Sequence, residues 1–147
     1  MLHPLLPKSL IRIESSAKNW QQAVELATEK MTQQGYIEPG YTQAIIKSHQ
    51  ELGPYYVLAP GIAMPHARPE DGVNKLGLAL TVIQQGVHFD AEENDPVHLL
   101  VTLAATDSDS HVEAISQLAE LFMNQQDVDA ICASQSIEQI EEIIARY

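Results

Sequence analysis

"KLGLALTVI", residues 75–83, is an almost unbroken apolar run, and "VHLLVTLAA", residues 97–105, is a second. Runs this short and this continuous fit strands buried on both faces, because an exposed face would appear as polar–apolar alternation. Such strands need helices over them. Upstream, "NWQQAVELATEKMTQQG" (19–35) places Trp20, Ala23, Val24, Ala27 and Met31 on one helical face and stops at Gly35. "EPGYTQAIIKSHQELG" (38–53) predicts a shorter helix ending at Gly53-Pro54. Downstream, "HVEAISQLAELFM" (111–123) aligns Val112, Ile115, Leu118 and Phe122. "DVDAICAS" (127–134) and "SIEQIEEIIARY" (136–147) predict two more helical pieces. "YYVLAPGIAMP" (55–65) is extended with Pro60-Gly61 as punctuation, and "QQGVHFDAEENDP" (84–96) reads as a polar loop. With no repeat and no linker, the expectation is one domain over residues 1–147. Its helices flank a small central sheet in a three-layer α/β/α architecture.

Composition narrows the function classes. A chain of 147 residues with 45% hydrophobic content can bury a real core. A formal net charge of -12 argues against nucleic acid or an anionic membrane as the main partner. One cysteine, Cys132, allows no intrachain disulfide. The N-terminal segment is broken by Pro4 and Pro7 and lacks the basic-then-apolar order of a signal peptide. No run is long enough to insert directly in a membrane, so a cytoplasmic protein is expected.

Several motifs are better read as structure. "GVNKLGL" (72–78) has the glycine spacing of a phosphate loop at Gly72 and Gly77. Leu78 and Ala79 replace the lysine and hydroxyl residue, so it is a turn entering a strand. The histidines lack a metal-ligand signature, and a zinc site built from His66, His88, His98 and His111 is not favoured. Cys132 beside Ile131 reads as a small buried hydrophobe, and His98 as a hydrogen-bonded strand residue.

Two histidines have better context. In "APGIAMPHARPEDG" (59–72), Pro65 stiffens the backbone entering His66 and pushes Met64 to an extended conformation. Ala67 leaves room beside the ring, and Gly61 and Ala63 allow close packing behind it. Little freedom remains to be lost when a bulky donor docks. An imidazole with an ordinary pKa of about 6.5 offers a neutral nucleophilic nitrogen at cytosolic pH. Phosphoryl transfer then depends mainly on positioning and on stabilising the equatorial oxygens. In "AATDSDSHVEA" (104–114), Ser110 and Glu113 have capping-box spacing, which puts His111 in a first helical turn beyond a strand end. Anions are favoured there. A neutral His111 could donate to a phosphoryl oxygen, or be an incidental surface histidine.

"PGIAMPHARPEDGV" (60–73) followed by "HVEAISQLAELF" (111–122) resembles the enzyme IIA proteins of the mannitol–fructose class of the bacterial sugar phosphotransferase system. The longer string "GPYYVLAPGIAMPHARPEDGV" (53–73) is most similar to ascorbate-specific members. The resemblance covers nearly the whole chain. It implies an α/β/α fold with a mixed sheet. It implies that His66 accepts a phosphoryl group from the histidine-containing phosphocarrier protein and donates it to a cysteine of a IIB component. The IIB component then serves a membrane IIC permease. His111 corresponds to the family's second active-site histidine, and no cofactor or metal is required. Mannitol-type members carry an arginine and a glutamate where ungapped counting places Gln50 and Pro60, which cannot do the same job. Arg68 could grip phosphate oxygens in their stead, or face Glu70 or Asp71 in solvent; Ser110 could contact the phosphate beside its capping role. The alternatives to transport are a regulatory IIA-like module and a metal-dependent hydrolase.

Overall fold

The computed structural model describes residues 1–107, 109 and 112–147. The two apolar runs become the central pair of a five-stranded sheet: β4 (Gly77–Val87) and β5 (Val97–Ala104), antiparallel, with Leu80 opposite Val101. Gly77 through Ile83 are buried without a break, as double-sided coverage requires. β1 (Ile11–Glu14) pairs parallel to β4 on one side. β3 (Ile62–Ala63) pairs parallel to β5 on the other, and β2 (Val57–Ala59) runs antiparallel to β3 at the edge. The order β1-β4-β5-β3-β2 is a mixed sheet.

Helix α1 (Trp20–Gln33) buries Trp20, Ala23, Val24, Ala27 and Met31, the face expected from spacing, and is capped by Asn19 accepting from the Gln22 N–H. It lies on β4 and β5, where the Thr102 hydroxyl donates to the Ala27 carbonyl at 3.1 Å. Helix α2 (Pro39–Leu52) starts on a proline, whose missing N–H costs nothing at a helix start, and ends at Gly53 with φ +83°. It packs on α1 through a buried Thr42-to-Thr28 hydroxyl bond of 2.7 Å. Helices α3 (Val112–Met123), α4 (Gln125–Cys132) and α5 (Ile137–Ile144) complete the helical layers; α4 packs on β4 and α5 on β1. The three-layer α/β/α expectation holds.

Three local expectations need correction. β1 was not anticipated: its four residues include the charged Arg12 and Glu14, too short a segment for a period-2 signal. The polar segment Gln84, Gln85, Gly86, Val87 belongs to β4 and not to a loop, since the strand outruns its buried part. In α3 the fully buried residues are Ala114, Leu118 and Leu121; Ile115 and Phe122 are half-buried, and Val112 is exposed. The helix packs against α4, and its core face is the stripe of Ala114, Leu118 and Leu121.

Candidate active site

β3 and β5 are parallel neighbours, so their C-terminal ends emerge side by side. Ligands of open α/β sheets collect at such ends. The segment leaving β3 carries His66, and its backbone polar groups are engaged one after another. The Met64 N–H donates to the Tyr56 carbonyl at 2.8 Å, and the Pro65 carbonyl accepts from the Leu103 N–H of β5 at 3.0 Å. The His66 carbonyl accepts from the Tyr55 hydroxyl at 2.6 Å. The Ala67 N–H donates to the Tyr41 hydroxyl at 3.0 Å, and that hydroxyl donates onward to the Leu103 carbonyl at 2.7 Å. Tyr41 thus ties α2, β5 and the histidine segment together, and burial pushes its phenol up to about 12.

His66 itself is half-buried, with Nδ1 at 2.8 Å from the Met64 carbonyl oxygen. A carbonyl only accepts, so Nδ1 carries the ring proton. The neutral ring then keeps the Nε2 lone pair for a new bond. The Tyr55 ring stands edge-on to the imidazole at 5.4 Å and 85°. Burial pushes the Tyr55 phenol up, opposed by a hydrogen bond with Ser48. Behind this wall lies a second aromatic set. Tyr56 meets His49 Nδ1 at 2.7 Å, and His49 stacks on Trp20 at 3.7 Å. Burial pushes His49 below its ordinary value, against a backbone bond to Phe89 and the pull of Asp90 and Asp95.

The ring opens on a cleft of about 560 Å³ lined by Lys47, Ser48, Glu51 and Leu52 of α2, with Tyr55, His66, Arg68 and Asp71 opposite. Arg68 is engaged: Nε and Nη2 lie 3.3 and 3.4 Å from the two Asp71 carboxylate oxygens, and its backbone N–H donates to the same carboxylate at 3.0 Å. The guanidinium holds Asp71 below the ordinary carboxylate range. Arg68 therefore faces Asp71 while sharing the cleft with His66. Ser110 and His111 lie outside the described residues. Gln50 is exposed on α2 outside the cleft lining, and Pro60 lines a separate cavity with His98 and Cys132. His98 sits 3.2 Å from the Ile83 carbonyl, and burial pushes the Cys132 thiol up to about 11. His88 pairs with Asp95 at 3.5 Å. Among the described residues, no group of three or more His, Cys, Asp or Glu side chains is placed to hold a metal ion.

Sequence reasoning missed Tyr41, Lys47 and Tyr55. Tyr41 and Lys47 reach the site from a helix about twenty residues upstream, and only the i, i+4 relation of Lys47 to Glu51 hints at a shared face.

The family model described as "Phosphoenolpyruvate-dependent sugar phosphotransferase system, EIIA 2" matches residues 4–147. The chain belongs to this family. It is a phosphotransferase component that carries its phosphoryl group on histidine. The solution structure of the mannitol-specific cryptic phosphotransferase enzyme IIA CmtB from Escherichia coli superimposes with a TM-score of 0.91 at 42% identity, covering 99% of each chain. An ascorbate-specific PTS system EIIA component of Shigella flexneri is 40% identical over 92% of this chain and 89% of that protein. The IIAMTL chain in a complex with phosphorylated enzyme IIBMTL from Escherichia coli matches with a TM-score of 0.81 at 28% identity, covering 95% of this chain and 96% of that one. Among the described residues of this EIIA chain, no helix is long and apolar enough to cross a membrane.

Proposed function

We propose that His66 is the phosphoryl acceptor of this EIIA component and that the new bond forms at Nε2. The observation that carries this is the Nδ1 contact with the Met64 carbonyl, which leaves only Nε2 free to attack. The donor is the phosphohistidine of the histidine-containing phosphocarrier protein. The Nε2 lone pair attacks phosphorus as the donor's P–N bond breaks, and the Met64 carbonyl steadies the Nδ1 proton while positive charge builds on the ring. In the second half-reaction a thiolate of the IIB component attacks phosphorus, the P–S bond forms, and His66 recovers its lone pair. The complex of a related IIA protein with its phosphorylated IIB partner supports this order. Exposed apolar side chains around the cleft, Leu52 and Tyr55, and Leu58 on the edge strand β2, suit docking of a protein donor. His111 assists onward transfer and Ser110 contacts the phosphate. The side-by-side ends of β3 and β5 support this assignment, because Ser110 and His111 follow β5 within a few residues in the sequence. Arg68 is a second ligand for the phosphate when it exchanges away from Asp71. The protein acts in the cytoplasm and feeds a IIB–IIC permease for phosphorylation-coupled uptake, with ascorbate as the substrate.

The test is phosphorylation by the purified upstream carriers with mapping of the labelled residue. An acid-labile, base-stable label on His66, lost in His66→Ala, is expected. His111→Ala should keep some acceptance and slow transfer to IIB. Label on His98 or His111 would overturn the assignment. With IIB and permease membranes added, ascorbate and not mannitol should be phosphorylated; no onward transfer to any IIB cysteine would make the protein a regulatory module.

A further inference from the structure

We propose that Lys47 is the phosphoryl-binding cation of this site, its ammonium holding the oxygens of the group carried on His66. The proposal rests on His66 being the acceptor. The cleft that contains His66 is lined by two cations, Lys47 and Arg68, and two carboxylates, Glu51 and Asp71, so its side-chain charges cancel. A phosphoryl group adds a charge of about -1.5 to -2 at neutral pH. It must therefore draw a cation away from a carboxylate or recruit one without such a partner. Arg68 has first to leave Asp71, to which it is held through two of its nitrogens, before it can add to the grip. The chain has eight Lys and Arg residues. Lys8, Arg12 and Arg146 pair with carboxylates, Lys30 donates to the Ile11 carbonyl, and Lys75 lies over the Tyr36 ring. Among the described residues only Lys18 and Lys47 lack such a partner, and of these only Lys47 lines the cleft.

The helix places it well. Lys47, Ser48, Glu51 and Leu52 form one face of α2, and the same helix holds Ala67, next to the acceptor, through the Tyr41 hydroxyl. Cation and imidazole are thus fixed to one frame, while the flexible stem and three rotatable donors of lysine let the ammonium follow the phosphoryl oxygens. Gln50, one turn along on the exposed side, takes no part in the cleft.

The experiment is a ³¹P NMR titration of the phosphorylated protein together with the rate of acceptance from the phosphocarrier, for wild type, Lys47→Gln, Lys47→Arg and Lys18→Gln. Lys47→Gln should raise the phosphoryl group's second pKa by about half a unit, because a neighbouring cation favours the dianion. It should slow acceptance about tenfold, the loss of one charge-assisted hydrogen bond. Lys47→Arg should stay within about threefold of wild type, and Lys18→Gln should match it. Lys47 is exposed, so equal melting temperatures are expected throughout. A Lys47→Gln protein that titrates and accepts like wild type overturns the proposal. If Lys47→Gln accepts nothing, rescue by Lys47→Arg sustains the proposal and failure of rescue overturns it. A His66→Ala control separates the two levels: label surviving there defeats the acceptor assignment, whereas label lost there with Lys47→Gln unaffected defeats only the role of Lys47.

Discussion

Tyr41→Phe removes one oxygen and with it two short hydrogen bonds and a longer one, at 3.3 Å, to the Ala67 carbonyl. The hydroxyl accepts from the Ala67 N–H at 3.0 Å and donates to the Leu103 carbonyl at 2.7 Å, with Leu103 almost fully buried and Ala67 half-buried. A buried polar group left unpaired costs about 1–3 kcal/mol. Taking the lower figure for the half-buried amide and about 2 kcal/mol for the carbonyl gives a loss of about 3 kcal/mol. For a chain of this size that lowers the melting temperature by roughly 9 °C. The ring stays in place, so no cavity contributes. Thermal unfolding followed by circular dichroism at pH 7 measures the loss. Phosphoryl acceptance should fall alongside, because Ala67 adjoins His66. A second signature lies at alkaline pH. The folded phenol is pushed up to about 12, whereas the unfolded one ionises near 10. The stability this adds is complete below pH 10 and is lost as pH rises toward 12, about 3 kcal/mol in all. Tyr41→Phe should lack that part of the alkaline loss. A variant melting within about 2 °C of wild type, with the same alkaline limb, would refute the view that this hydroxyl locks the loop to β5.

Two further outcomes follow from the packing. A Cβ added at Gly77 would meet the Tyr36 ring at 2.6 and 2.7 Å, so Gly77→Ala should lose about 1–3 kcal/mol in chemical denaturation. The loss should largely vanish when Tyr36→Ala is combined with it; an equal loss in both backgrounds would acquit the ring. Burial holds His49 below its ordinary 6.5, so its contribution is present above that pH and is lost as pH falls through the lower folded value. Between pH 7 and 5 the wild-type melting temperature should fall more steeply than that of His49→Gln; parallel curves would contradict this.

What could be read from the chain follows from how far each signal reaches. Residues 75–83 and 97–105 are legible because burial on both faces leaves an unbroken apolar run. The α1 face is legible because Trp20, Ala23, Val24, Ala27 and Met31 all pack inward. β1 is not, since Arg12 turns its charge to Glu14 and Glu29 and leaves only Ile11 buried. The α3 face misleads because two apolar stripes at helical spacing share Leu118, and spacing alone does not choose the buried Ala114 and Leu121 over Val112, Ile115 and Phe122. At the site, Pro65 announces His66 locally, and the rigidity it suggests is carried through by Tyr41, Tyr55 and Leu103. Those partners come from α2 and β5, so no local spacing reveals them. The ring tautomer depends on where the Met64 carbonyl turns, a property of the folded backbone. The sequence offers Arg68 as the cation to grip phosphate, whereas the cation in the cleft without a carboxylate partner is Lys47, one turn before Gln50.

The most direct measurement is a ¹H–¹⁵N correlation spectrum of the imidazole nitrogens after phosphorylation of the ¹⁵N-labelled protein. Phosphorus coupling to His66 Nε2, with Nδ1 still protonated against the Met64 carbonyl, is the expected result. Phosphorus on Nδ1, or on any residue other than His66, would contradict it.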